Sequence, residues 1–180
     1  MTAEEFDSLY VFHDGDVFLP FEIQEDTLTI TFDLARWIQC EWVEEKYGKI
    51  TYGDRTSFIV KARFSNCKNI VAREWVFKKS RPKNNKKPER IITETTLQAF
   101  DPELELELVE TENQNDIRLY FFSSDICGKG YEGKGGLISF SSENVEVIEE
   151  AIYDEAAIEA LFDKFEKLAV KYAVSLKDGE

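Results

Sequence analysis

Between Thr27 and Phe32 every second residue is a large hydrophobe: Leu28, Ile30 and Phe32 alternate with Thr27, Thr29 and Thr31. A period of two marks a strand with one face in a core and the other turned away from it. The pattern recurs at Phe58, Val60, Ala62 and Phe64, which alternate with Ser57, Ile59, Lys61 and Arg63. Further β-rich runs occupy 17–23, 69–77, 91–100, 103–109, 116–122 and 137–140, with a shorter one at 145–148. Pro20 assigns the 17–23 run to a sheet edge, because proline cannot donate to a ladder on both sides. Runs spaced by roughly a dozen residues imply an antiparallel meander that curves into a barrel or sandwich.

Two segments carry helical spacing instead. Ile158, Leu161, Phe162, Phe165, Leu168, Ala169 and Tyr172 form one apolar stripe. Glu149, Glu150, Asp154 and Glu155 gather near its start, and Lys164, Lys167, Lys171 and Lys177 toward its end, which suits a helix dipole. This predicts a helix over 154–176 with Phe162 and Phe165 buried against the sheet. In Leu34–Tyr47 the residues Leu34, Trp37, Ile38 and Trp42 lie near helical spacing, with Asp33 to cap the start and Gly48 the end. Leu34, Ile38, Cys40 and Trp42 also prolong the preceding alternation, so helix is the favoured reading and strand the alternative. The expected fold class is α+β, a curved or barrel-like antiparallel sheet with a long C-terminal helix, in a single domain 1–180.

Hydrophobic residues make up 43% of the 180, with 14 Phe, 7 Tyr and 3 Trp, enough for a substantial core. Acids outnumber bases 36 to 22, a net charge of −14. Such a chain repels nucleic acid and anionic membranes except through a local basic patch. No apolar run approaches the ~20 residues of a membrane span. The start, Met1-Thr2-Ala3-Glu4-Glu5, lacks the basic and apolar regions of a secretory signal. Cys40, Cys67 and Cys127 are few and odd in number, as expected of reduced cytoplasmic thiols.

Charge is distributed unevenly. Residues 78–90 hold seven bases, Lys78, Lys79, Arg81, Lys83, Lys86, Lys87 and Arg90, against the single acid Glu89, so the rest of the chain carries −20. With two prolines and two asparagines this segment is a loop inserted between strands. Its seven bases are the candidate anion-binding residues, and any contact with nucleic acid is expected only there. The opposite extreme is Asp101–Glu110, where Leu104, Leu106 and Leu108 alternate with Glu103, Glu105 and Glu107. That alternation aims the leucines at the core and sets the carboxylates in a row about 7 Å apart. Cations on an adjacent strand, Lys61, Arg63 or Arg118, would neutralise the row; otherwise it is an acidic binding face. With Glu110 and Glu112 it forms the candidate partner-binding set.

Two motifs invite catalytic readings and support them poorly. Cys127–Gly136 satisfies G-x-G-x-x-G through Gly128, Gly130 and Gly133, and comes close to a phosphate loop through Lys134. A phosphate cradle needs a helix next, whereas Leu137-Ile138-Ser139-Phe140 is strand-like, so the segment is expected to be a hairpin loop. His13, the only histidine, lies beside Asp14-Gly15-Asp16 in a turn and has no partner spaced for zinc or a catalytic triad. No catalytic residue, metal ligand or cofactor is assigned. The expected function is a non-catalytic, acidic, cytoplasmic binding protein of the immunity or inhibitor type that engages a basic protein. The alternatives are a small-ligand-binding barrel and a nucleotide-binding enzyme using the glycine-rich loop. The sequence leaves the oligomeric state open.

Overall fold

A computed structural model of the chain describes residues 1–12, 15–34, 39, 41–48, 56–78, 89–97, 105–122 and 134–177. Helix α1 (Ala3–Leu9) precedes strands β1 (Asp16–Val17), β2 (Glu22–Gln24) and β3 (Thr27–Leu34). Helix α2 (Glu41–Tyr47) leads to β4 (Ser57–Ser65), β5 (Lys68–Lys78), β6 (Glu89–Thr95), β7 (Glu105–Glu110), β8 (Asp116–Phe122), β9 (Lys134–Ser141) and β10 (Asn144–Tyr153). Helix α3 (Glu155–Lys177) ends the order.

The strands form two five-stranded antiparallel sheets. The first runs β1-β3-β4-β10, with β2 also on β3, below β1 on the same side. The second runs β6-β5-β9-β8-β7. The fold is therefore α+β with curved antiparallel sheets and a long C-terminal helix, as expected, although no ladder among the described residues closes it into a barrel. The chain crosses between sheets twice, at the β4–β5 and β9–β10 turns, and these corners are neighbours because β4 pairs with β10 and β5 with β9. The Ser142 hydroxyl, 3.0 Å from the Ser65 carbonyl, and the Glu143 N–H, which donates to that same carbonyl, tie the corners together. Asn66 and Asn69 take positive φ at the first corner, a conformation asparagine tolerates better than most residues.

The inner faces follow the alternation read from the sequence. Leu28, Ile30, Phe32, Phe58, Val60, Ala62 and Phe64 of one sheet meet Ile117, Leu119, Phe121, Ile138 and Phe140 of the other in one core. Phe6 of α1 enters between them, its ring 5.4–5.9 Å from those of Phe12, Phe32 and Phe64. The sequence analysis overlooked α1, although Thr2 and Glu5 form a reciprocal capping box at its start. A second, smaller cluster lies on the outer face of the first sheet, where α3 covers Ile59 and Phe18 with Phe165.

Several expectations need correction. The 17–23 run is two short strands, with a cis peptide bond between Leu19 and Pro20 in the turn separating them. Leu34–Tyr47 is neither all helix nor all strand. β3 runs through to Leu34, and α2 begins only at Glu41; of the segment between, only Gln39 lies within the described residues. Asp33 is thus a strand residue, next to last in β3, rather than a cap, whereas Gly48 does close α2 at φ +84°, its N–H bonded to the Glu44 carbonyl. Phe165 is buried as expected, but Phe162 is 58% exposed and touches the cluster only through Phe18. The cluster beneath α3 is small, with Ile59 and Phe18 buried and Tyr153 partly buried on the sheet side, and Phe165 fills it.

Candidate binding surface

The acidic segment becomes β7, the edge strand of the second sheet, which among the described residues is hydrogen-bonded to β8 alone. β1 of the other sheet comes alongside it without forming a ladder. The expected row of evenly spaced carboxylates is interrupted. Leu106 and Val109 are both buried, three residues apart, and the register slips between Leu106 and Leu108. A bulge there absorbs one extra residue, so Glu105 and Glu110 take register positions on one face, opposite Phe122 and Arg118. Leu108, expected on the core side, stands opposite Tyr120 on that same face, and Val109 takes the buried position instead. Glu103 lies outside the described residues.

Of the three cations expected to neutralise this strand, only Arg118 is near it. Arg118 stands opposite Glu110 in the β7–β8 ladder, and its guanidinium lies 2.6 Å from Glu112. Lys61 and Arg63 belong to the other sheet, where they pair with Glu22 at 2.8 Å and Glu146 at 3.1 Å. Other described cations are engaged in the same way: Lys46 with Glu150, Lys68 with Glu143, Arg73 with Glu94 and Lys164 with Glu22, at 2.6–3.5 Å. Among the described residues, Glu110 at the end of β7 and Glu112 just after it are exposed and meet Arg118, with Asp116 nearby on β8.

A second acidic pair sits on β1 and β3, on the side of the first sheet that meets β7. Asp16 and Asp33 are cross-strand partners, and Asp33 accepts a hydrogen bond from the Ser57 hydroxyl at 2.9 Å. Burial pushes the Asp33 carboxyl up to about 6; the serine bond opposes this and the Asp16 charge adds to it.

A further bonded cluster centres on Glu150 of β10, which no local sequence pattern marks. Glu150 accepts from the hydroxyls of Tyr10 and Tyr47 at 2.6 and 2.7 Å and from the Lys46 ammonium at 2.6 Å. Burial alone would raise its carboxyl, but these three donors outweigh that and hold it below the usual range. Trp42 packs on Tyr10, and its indole N–H donates to the Leu9 carbonyl. These residues come from α1, α2 and β10, so no local spacing announced the group. Its bonds pin α2 to the sheet, and a carboxylate held below its usual range by three donors is poorly suited to take up a proton.

A cleft of about 370 Å³ opens between α3 and the outer face of the first sheet, with Thr27, Thr29, Lys61 and Arg63 on its floor and Ile148 and Leu168 at its walls. Among the anion-binding candidates, Lys78 falls at the end of β5 and Arg90 near the start of β6; Lys79, Arg81, Lys83, Lys86 and Lys87 lie outside the described residues. So do His13, Cys127 and Gly128–Gly133. The glycine-rich segment joins β8 to its neighbour β9, which places a strand where a phosphate cradle would have a helix.

Comparison with family models, characterised proteins and solved structures gives no match. Among the described residues no helix is long and apolar enough to cross a membrane, and no group of three or more His, Cys, Asp and Glu side chains is arranged to hold a metal ion.

Proposed function

We propose that this protein is a non-catalytic binding protein that holds a basic protein against the acidic edge formed by β7 and the turn after it. The observation that carries this reading is the local charge imbalance. Among the described residues, Glu110 and Glu112 are exposed and Arg118 is the cation brought to them, while Lys61 and Arg63 are committed elsewhere; Glu105 and Glu107 belong to the same strand. Like charges along one strand weaken a sheet unless something compensates them. A partner carrying lysines and arginines would supply that compensation and would be steered to the edge over a Debye length of ~8–10 Å. The edge position leaves the strand accessible, and the bulge and carboxylates discourage it from pairing with a copy of itself.

The test starts from the wild-type chain used as bait at low ionic strength, with the recovered basic protein then measured against a combined Glu110→Lys and Glu112→Lys variant, both positions being exposed. The variant should keep its melting temperature, since exposed substitutions change stability by less than ~0.5 kcal/mol each. Its association rate should fall by about tenfold or more, and added salt should slow the wild type toward it. An unchanged rate, or the absence of any basic protein bound above control, refutes the proposal. The cleft beneath α3 favours a second reading, a small amphipathic ligand seated between Leu168 and the Thr27–Thr29 floor. Retention of a small molecule in native mass spectrometry, lost on Leu168→Trp, would support that instead.

A further inference from the structure

β6 (Glu89–Thr95) is the other edge of the second sheet, and unlike β7 it has no bulge. Among the described residues it pairs with β5 alone, through seven consecutive positions with no bulge. Ile91 and Ile92 are 37% and 54% exposed, and successive residues of a strand face opposite sides, so both faces of this edge present isoleucine to solvent. Four of its seven residues are β-branched, and it contains no glycine, proline or lysine. Natural edges are blunted by bulges, lysines or like charges; β6 has neither a bulge nor a lysine, and its charges are of both signs, so they can match those of a second strand.

We propose that β6 pairs antiparallel with β6 of a second copy of this chain, about a two-fold axis through Ile92, joining two five-stranded sheets into one of ten. Such an axis is perpendicular to the sheet, so each side chain stays on its own face and only positions two, four or six apart, or identical ones, can oppose each other. Centring on Ile92 is the one register that engages all seven residues. It sets Ile92 against Ile92, Ile91 against Thr93, and Glu89 against Thr95. It also brings position 90, an arginine, opposite position 94, a glutamate, twice over. Centring on Ile91 or Thr93 loses two pairs and the charge match, and centring on Arg90 or Glu94 opposes like charges.

The face that carries Ile92 strengthens the assignment. Ile92 stands opposite Trp75 on β5, Trp75 opposite Gly135 on β9, and Gly135 opposite Phe122 on β8. The indole of Trp75 lies so close over Gly135 that a Cβ there would sit 2.5 Å from it, and the Phe122 ring is 6.0 Å away. An apolar row therefore crosses this sheet and ends, exposed, at Ile92. Pairing two copies at Ile92 continues the row without interruption.

Sedimentation equilibrium of the full chain, from micromolar to near-millimolar concentration, should show a monomer–dimer equilibrium and no larger species. Ile92→Lys, at an exposed position, should keep the thermal melt and weaken the dimer at least tenfold. Glu94→Arg should weaken it as well, and adding Arg90→Glu should restore it. In a Cys40→Ser, Cys127→Ser background, Ile92→Cys should cross-link under mild oxidation faster than Ile91→Cys or Thr93→Cys, because only Ile92 meets its own copy. A monomer at every concentration, a dimer indifferent to Ile92→Lys, an open-ended oligomer, or faster cross-linking at 91 or 93 would each overturn the proposal.

Discussion

Asp33 offers a direct test of how the acidic side of the first sheet is held. It lies next to last in β3, opposite Asp16 and Ile59, with the Ser57 hydroxyl as donor to its carboxyl. Burial raises it from 3.8 to about 6. A carboxyl raised in the folded state contributes stability that is fully present below its unfolded value, near pH 4, and is lost as pH rises through about 6. At 1.36 kcal/mol per unit, the ionised group costs the folded state about 3 kcal/mol at pH 7. Asp33→Asn keeps the shape, still accepts from Ser57 and turns an amide toward Asp16. Urea unfolding of both proteins at pH 4 and pH 7 isolates the term. The variant should be more stable by about 2–3 kcal/mol at pH 7, and the advantage should shrink toward zero at pH 4. In a chain of this length that corresponds to roughly 4–12 °C in melting temperature. A variant less stable than the wild type at pH 7, or an advantage equal at both pH values, would show that the Ser57 bond dominates and that the reasoning from burial is wrong.

Two further perturbations separate packing from exposure. Phe165→Ala should cost about 3–5 kcal/mol because the ring is buried against Phe18 and Ile59, whereas Phe162→Ala, with most of its ring in solvent, should cost about 1 kcal/mol or less; chemical denaturation measures both. Gly135→Ala should destabilise by about 1–3 kcal/mol, since the new methyl would meet the Trp75 indole, and a shift in tryptophan fluorescence should accompany the loss.

What the sequence disclosed, it disclosed through period. The Thr27–Phe32 alternation marks a strand because one face of β3 is wholly buried, and the Phe58–Phe64 alternation does the same for β4. α3 was legible because its stripe and its charge bias agree over 23 residues. α1 has seven residues and buries only Ala3 and Phe6, too few to establish a period, although its Thr2–Glu5 capping box was there to be seen. The stripe on α3 predicted which side faces the sheet but not how wide the sheet's welcoming surface is, and Phe162 fell outside it. At the acidic strand the alternation was visible and the bulge was not, because a bulge is set by the partner strand. The same holds for Glu150, whose donors arrive from residues 10, 46 and 47.

The two edges of the second sheet should give opposite responses to salt, which separates the two proposals made for them. At β7 an acidic edge attracts a basic partner, so screening weakens the complex. At β6 two copies that each carry −14 must approach, so their net repulsion opposes pairing while isoleucine burial and the 90–94 charge match favour it. Screening should therefore tighten the dimer overall, the long-range repulsion being lost over ~8–10 Å while the contact pairs, at close range, are screened less. A protein whose self-association strengthens with salt while its hold on a basic partner weakens would be using its two edges independently. If both interactions weakened together, the 90–94 pairs rather than the isoleucines would be holding the dimer. Ile92→Lys would then matter less than Glu94→Arg, and the apolar row through Trp75 would have no part in the contact.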